Sequence, residues 1–156
     1  CALDLIQRGH RLVADDVVEI RRRGQEQIYG SGTGMLRHHI EIRGLGILNV
    51  KDMFGIAAVR ERKRIDLVTQ LVEWRDDEEY DRLGLEERRF PILDVELPLI
   101  TVPVRPGRNM GSIIEVAARN EVLKGMGTNT ARRFQERLEQ ELALGRTQHF
   151  LGDDVE

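Results

Sequence analysis

The chain has 156 residues, is 40% hydrophobic and 33% charged, and carries a formal net charge of −3. That length suits one domain with its own core, on a prior of about 100–200 residues per domain. The acidic balance and the 4% aromatic content exclude a basic nucleic-acid binder and a base-stacking platform, and no apolar run nears the roughly 20 residues that span a bilayer.

The chain opens in mid-helix. Ala2, Leu3, Leu5 and Ile6 form an apolar stripe with no preceding cap, and Gly9 is placed to close a helix over residues 2–8. The expectation is therefore a fragment, or a chain that starts after a further segment. Cys1, the lone cysteine, excludes an internal disulfide framework and suits a reducing, cytoplasmic compartment; no signal-peptide pattern opens the chain. Residues 11–14 predict a short apolar strand running into Asp15 and Asp16. Residues 17–22 and 27–29 read as strands joined at Arg23 and Gly24. The GSGTG run, residues 30–34, lacks the spacing of a phosphate loop and reads as a flexible connector.

After residues 41–50 (EIRGLGILNV), a short helix is expected over 51–54. Ile65, Leu67, Thr69 and Leu71 alternate with Asp66, Val68 and Gln70, a strand pattern, and residues 75–80 read as a solvated acidic loop. Residues 99–104 form another strand, ended by Pro106 and Gly107. Two helices follow. Residues 113–124 set Ile113, Val116, Ala117 and Leu123 near one face. Residues 129–144 carry Ala131, Phe134, Leu138 and Leu142 at helical spacing, with Gly145 as the stop and 146–156 as a frayed tail.

Four stretches carry chemistry. If residues 40–43 are extended, Glu41 and Arg43 share one face, where a carboxylate suits Mg²⁺ and a guanidinium suits phosphate; an exposed ion pair is the alternative. Asp15 and Asp16 end an apolar strand, as the acids of nucleotide-binding α/β proteins do, and as turn-forming Asp pairs also do. Adjacent strand residues point to opposite sides, so the two acids have separate jobs. Arg82, in YDRLGL, either neutralises charge on a transferring phosphoryl group or pairs at the surface with Asp81 or Glu86. Arg105 and Arg108, in the proline-stiffened PVRPGRN, form either a phosphate or pyrophosphate clamp or a solvated surface turn.

The remaining candidates carry little. His10, His38, His39 and His149 lack the spacing of a zinc site and read as surface or packing residues, and a thiol mechanism through Cys1 has no partner. Arg60, Arg62, Lys63 and Arg64 read as a solvated strand entrance, with an acidic partner as the alternative.

In order, RGHRLVADDVVEI, EIRGLGILNV, the FG and AVR of residues 54–60, YDRLGL, PVRPGRN and IIEVAARNEVLKGMGTN resemble the C-terminal catalytic domain of bacterial HPr kinase/phosphorylase, from Cys1 to about Asn129. The resemblance implies an α/β, P-loop kinase-like domain akin to phosphoenolpyruvate carboxykinase, with a mixed sheet and two C-terminal helices. Residues 1–145 would be the catalytic domain, incomplete at its start, and 146–156 a tail. The implied activity is phosphorylation of a serine of the phosphocarrier HPr by ATP or pyrophosphate with Mg²⁺. The reverse reaction moves that group to inorganic phosphate and yields pyrophosphate. Family members are homohexamers that hold HPr partly through the last helical region of a neighbouring subunit.

Carried over by position, Asp16 matches the proton acceptor and donor, Asp15 its support, Glu41 the Mg²⁺ ligand and Arg82 the active-site arginine. Residues 40–49, Arg43 among them, match a segment needed in both directions, and residues 103–108, with Arg105 and Arg108, one important for dephosphorylation. The family's phosphate loop would end just before Cys1. Gly111, Glu121 and Thr130 stand where apolar residues or alanine are expected. Lacking the loop, the chain also fits a non-catalytic, oligomerising HPr-binding module; a small-molecule kinase of related fold is a third possibility.

Overall fold

The computed structural model describes residues 1–77, 87–127 and 130–155, with side chains as far as residue 144. The first helix, α1 (Ala2–Gln7), ends as its glycine requires. Gly9 takes φ +97°, its N–H donates to the Ile6 carbonyl at 3.0 Å, and the His10 N–H donates to the Leu5 carbonyl at 3.0 Å. These two bonds satisfy carbonyls the helix leaves open, and the left-handed residue costs least as glycine. The strand expected over 11–14 shrinks to one parallel bridge, Leu12 to Val59, after which the backbone bends at Asp15 and Asp16.

Among the described residues eight strands then follow: β1 (Glu19–Arg23), β2 (Gln27–Ser31), β3 (His39–Ile42), β4 (Gly46–Asn49), β5 (Arg62–Arg64), β6 (Val68–Glu73), β7 (Arg88–Ile92) and β8 (Val95–Val104). They form three small sheets among the described residues, β1-β2-β5, β3-β4 and β6-β8-β7, rather than the one mixed sheet expected. The composition of the strands explains the division. β1 reads EIRRR and β5 reads RKR, so β1 gives the core only Ile20 and β5 no apolar side chain at all. Only β6-β8-β7 is mixed, with β6 parallel and β7 antiparallel to the long central β8.

Two strand readings change. β7 and its turn to β8 are additional, because Leu93 and Asp94 both adopt positive φ, +49° and +63°, without the Asn-Gly signal such turns usually carry. The alternation proposed for 65–71 slips phase, since β6 starts only at Val68. Ile65 and Val68 both pack into the core while Leu71 is 46% exposed.

The remaining helices are α2 (Val50–Phe54), α3 (Met110–Gly125) and α4 (Thr130–Val155). Asn49 caps α2 and Asn109 caps α3, each side-chain oxygen accepting a backbone N–H from three residues on. α4 runs through Gly145 to Val155 instead of stopping, and its stripe of Phe134, Leu138 and Leu142 is exposed. Two cores form. One joins Ile6, Leu12, Ile40, Val50, Ala58 and Val59; the other joins Ile28, Val95 and Leu97 under Ile20, Ile65, Val68 and Ile92.

Helix α1 is also held to α3 by charge. Arg8 donates to Asp4 at 3.2 Å, to Ser112 at 2.7 Å and to Glu115 at 3.3 Å; Glu115 also meets His10 at 3.6 Å and Arg119 at 2.9 Å. Gly111 permits this approach, because a Cβ there would run into the Asp4 carboxylate, and this accounts for glycine where an apolar residue or alanine was expected. Burial raises the Glu115 carboxyl, but Arg8, His10 and Arg119 outweigh it and bring it below its ordinary 4.5. Its contribution is thus complete above pH 4.5 and is lost as pH falls through the lowered folded value. Glu115→Gln is expected to lower Tm at neutral pH, with the gap to wild type closing in acid; thermal melts from pH 7 to 3 would show a pH-independent gap if the cluster were idle.

Candidate active site

Two segments far apart in the chain meet because their apolar residues share a core. The Leu12 N–H donates to the Ala58 carbonyl at 2.9 Å and the Arg60 N–H to the Leu12 carbonyl at 2.9 Å, pinning the strand-like entry to Asp15 and Asp16. In β3, Ile40 is buried in the same core, so alternation turns Glu41 outward. Asp15 then closes the gap: its Oδ2 accepts the Glu41 backbone N–H at 3.0 Å. A hydrogen bond to an ionised carboxylate contributes about 1.5–3 kcal/mol, and the exposure here favours the lower end.

The result is a pocket of about 70 Å³ with Asp15, Asp16 and Glu41 in its wall. Ala14, Val17, Gly32, Thr33, Leu36, His39, Ile40 and Ile47 complete it. Three acids near one small space repel one another and draw in cations or hydrogen-bond donors. Among the described residues neither Asp16 nor Glu41 forms an ion pair through its side chain. Asp15 is the anchor; Asp16 and Glu41 keep their oxygens for something else.

The other expected residues divide. Arg43 does not share a strand face with Glu41: β3 ends at Ile42, and Arg43 starts the turn closed by the Leu45 N–H on the Ile42 carbonyl at 3.0 Å. The two glycines of that turn, Gly44 and Gly46, both take φ +94°, so the chain reverses before Arg43 can extend the strand. Arg43 is exposed and outside the pocket wall. Arg82 lies outside the described residues. Arg105 and Arg108 are brought together at the end of β8, also outside that wall, with their guanidinium carbons 5.3 and 5.5 Å from the centre of the Trp74 ring. Such contacts contribute about 0.5–1 kcal/mol each at exposed positions.

Residue-by-residue reading missed Gly32, Thr33, Leu36, His39 and Trp74. Gly32 is no loose connector. A Cβ there would lie 2.9 Å from the Val13 carbonyl oxygen, so the strand exit and the acidic segment touch through backbone alone. Its signal was the glycine spacing in GSGTG, read as flexibility where it marks close approach. His39 looked idle because no second ligand sits at metal spacing; its Nδ1 lies 2.8 Å from the Arg37 carbonyl.

The fold is a mixed α/β domain with three small sheets and a pocket walled by three acids; relatives narrow its class. The sequence model of the HPr Serine kinase C-terminal domain matches residues 1–138, and the chain belongs to that family. It is 57% identical over 138 residues to the HPr kinase/phosphorylase of Geobacter sulfurreducens, covering 88% of this chain and 43% of the relative. It is 55% identical over 144 residues to that of Bacillus cytotoxicus, covering 92% and 47%. Among solved structures, the Hpr(Ser) kinase/phosphatase from Coxiella burnetii superposes with a TM-score of 0.75 at 35% identity, over 86% of this chain and 82% of that one. The chain spans less than half the length of the curated relatives it matches. Among the described residues no helix is long and apolar enough to cross a membrane.

Gly32→Ala is expected to push the Val13 carbonyl away and cost about 1–3 kcal/mol of stability, as overpacking does. Urea unfolding checks this, and an unchanged midpoint would mean that the two backbones can part freely.

Proposed function

We propose that this chain is the catalytic domain of a serine kinase/phosphorylase acting on HPr, with a P-loop kinase-like core whose phosphate loop lies outside this sequence. The observation that carries the reading is the meeting of Asp15, Asp16 and Glu41 around one pocket, tied by the Asp15–Glu41 hydrogen bond. A space of about 70 Å³ suits a serine hydroxymethyl group and leaves the body of a nucleotide outside. In this reading residues 1–145 are the catalytic domain, residues 146–156 extend it, and the protein works in the cytoplasm.

Asp16 orients the serine hydroxyl and takes its proton late in the transfer from ATP or pyrophosphate, since a carboxylate is a weak base for an alcohol. In reverse it returns that proton to the serine oxygen as the phosphoryl group moves to inorganic phosphate and pyrophosphate forms. Asp15 holds the segment rather than reacting. Arg82 offsets charge on the transferring group. Arg105 and Arg108 bind phosphate or pyrophosphate through their guanidinium edges, and Arg43, exposed in the β3–β4 turn, meets substrate from outside the pocket. Mg²⁺ fits the donor set: Glu41, with Asp16 beside it, offers hard carboxylate oxygens, and no cluster of three or more ligands among the described residues makes a protein-only cage. When bound, that ion supplies neutralisation of donor phosphate charge.

The exposed Phe134, Leu138 and Leu142 stripe of α4 supports a homohexamer in which neighbouring subunits cover it and help hold HPr. A non-catalytic HPr-binding module would need the same stripe but has no use for unpaired acids at Asp16 and Glu41.

Asp16→Ala in the full-length gene product is expected to lower transfer in both directions by about 10²–10⁴-fold, with assembly unchanged. Phosphoserine assays with purified HPr would retire the assignment if turnover persisted. Arg105→Gln and Arg108→Gln should slow pyrophosphate formation about tenfold more than ATP-driven phosphorylation, as loss of a charged phosphate contact does. Equal slowing in the two assays would remove the clamp.

A further inference from the structure

We infer that Trp74 is a positioning residue for phosphate binding, an aromatic platform that holds Arg105 and Arg108 with their donor edges open. This deepens the proposed role of those two arginines and rests on it.

Three observations carry it. Both guanidinium carbons lie over the same indole, at 5.3 and 5.5 Å from its centre, so one ring serves two like charges that would otherwise drive each other apart. The platform is itself anchored. The Trp74 N–H donates to the Val104 carbonyl at 3.1 Å, continuing the β6–β8 ladder, and its Nε1 donates to Asp76 Oδ1 at 2.8 Å. The loop beneath is equally constrained: the Arg108 N–H donates to the Arg105 carbonyl at 3.1 Å, Arg108 Nη1 to the Pro103 carbonyl at 2.9 Å, and Gly107 takes φ +87°.

The chemistry of the guanidinium makes this arrangement useful. A cation held over a ring face is attracted by the ring's π-electrons and uses none of its N–H donors for that contact. Among the described residues Arg105 donates no side-chain hydrogen bond and Arg108 donates only the one to Pro103. Arginines seated over the ring therefore keep N–H groups for phosphate oxygens, already gathered before the anion arrives. A pair of free surface arginines would have to lose that freedom on binding.

The test uses the full-length gene product and the pyrophosphate-forming reaction from serine-phosphorylated HPr, with inorganic phosphate as the varied substrate. Trp74→Leu is expected to raise the KM for phosphate about tenfold with kcat within about twofold, while ATP-driven phosphorylation stays within about twofold of wild type. Trp74→Phe, which keeps a ring, should recover most of that KM. Should Trp74→Leu fail to fold, Arg105→Lys and Arg108→Lys keep the charge but lose the flat face, and a rise in the same KM is expected of both. An unchanged KM in the Leu or Lys variants overturns the inference, as does an equal loss in both directions. If Arg105→Gln and Arg108→Gln raise that KM and Trp74→Leu does not, the platform falls and the clamp stands. If the arginine variants are silent too, the clamp itself is wrong and the platform goes with it.

Discussion

The hydrogen bond from the Glu41 N–H to the Asp15 carboxylate, 3.0 Å long, is the constraint on which the site depends. It crosses 26 residues of sequence and joins a bent segment with almost no secondary structure to the edge of a two-stranded hairpin. Neither partner is rigid alone. An isolated hairpin is marginal in water, and a segment held by one bridge is weaker still. Both become fixed because Leu12 and Ile40, a few residues from the acids, are buried in one core with Val50 and Val59. The core sets the approach, and Asp15 spends its charge closing it, which leaves Asp16 and Glu41 with free oxygens.

Charge is used in three distinct ways in this molecule. Around Glu115 it is paired off, with Arg8, His10 and Arg119 converging on one carboxylate to fasten α1 to α3. On the Trp74 loop, like charges are carried by an aromatic ring instead of by acids. In the pocket the acids are gathered with no cation from the described chain to balance them. Carboxylates left unmet beside a small space are where ligands belong.

Much of this was legible in the sequence, and what was not has identifiable causes. Gly9 marked the end of α1 because only a glycine takes φ +97° cheaply, whereas α3 begins at Met110, three residues before the expected start, behind the cap Asn109. Asp15 and Asp16 were recognisable as acids ending an apolar run, and Glu41 as an acid beside the buried Ile40. Arg43 was misjudged because residue alternation applies only while a strand lasts, and here it stops one residue earlier. Strand β7 was hidden by a Leu93–Asp94 turn that has the backbone of a tight hairpin without its usual residues. Trp74 could not be connected to residues 105–108 from the text, since the parallel pairing of β6 with β8 is a long-range event.

Alone, the sequence determined the local events: where helices cap, where the backbone must turn, which residues are acids or arginines, and, through several ordered motifs, the family. Those features follow from the chemistry of one residue and its near neighbours. Tertiary structure decided the division into three sheets, the hydrogen bond that ties Asp15 to β3, the tight contact at Gly32 and the seating of two arginines on one indole. Each of these depends on which distant segments share a buried core, and burial is a property of the whole chain rather than of any stretch of it.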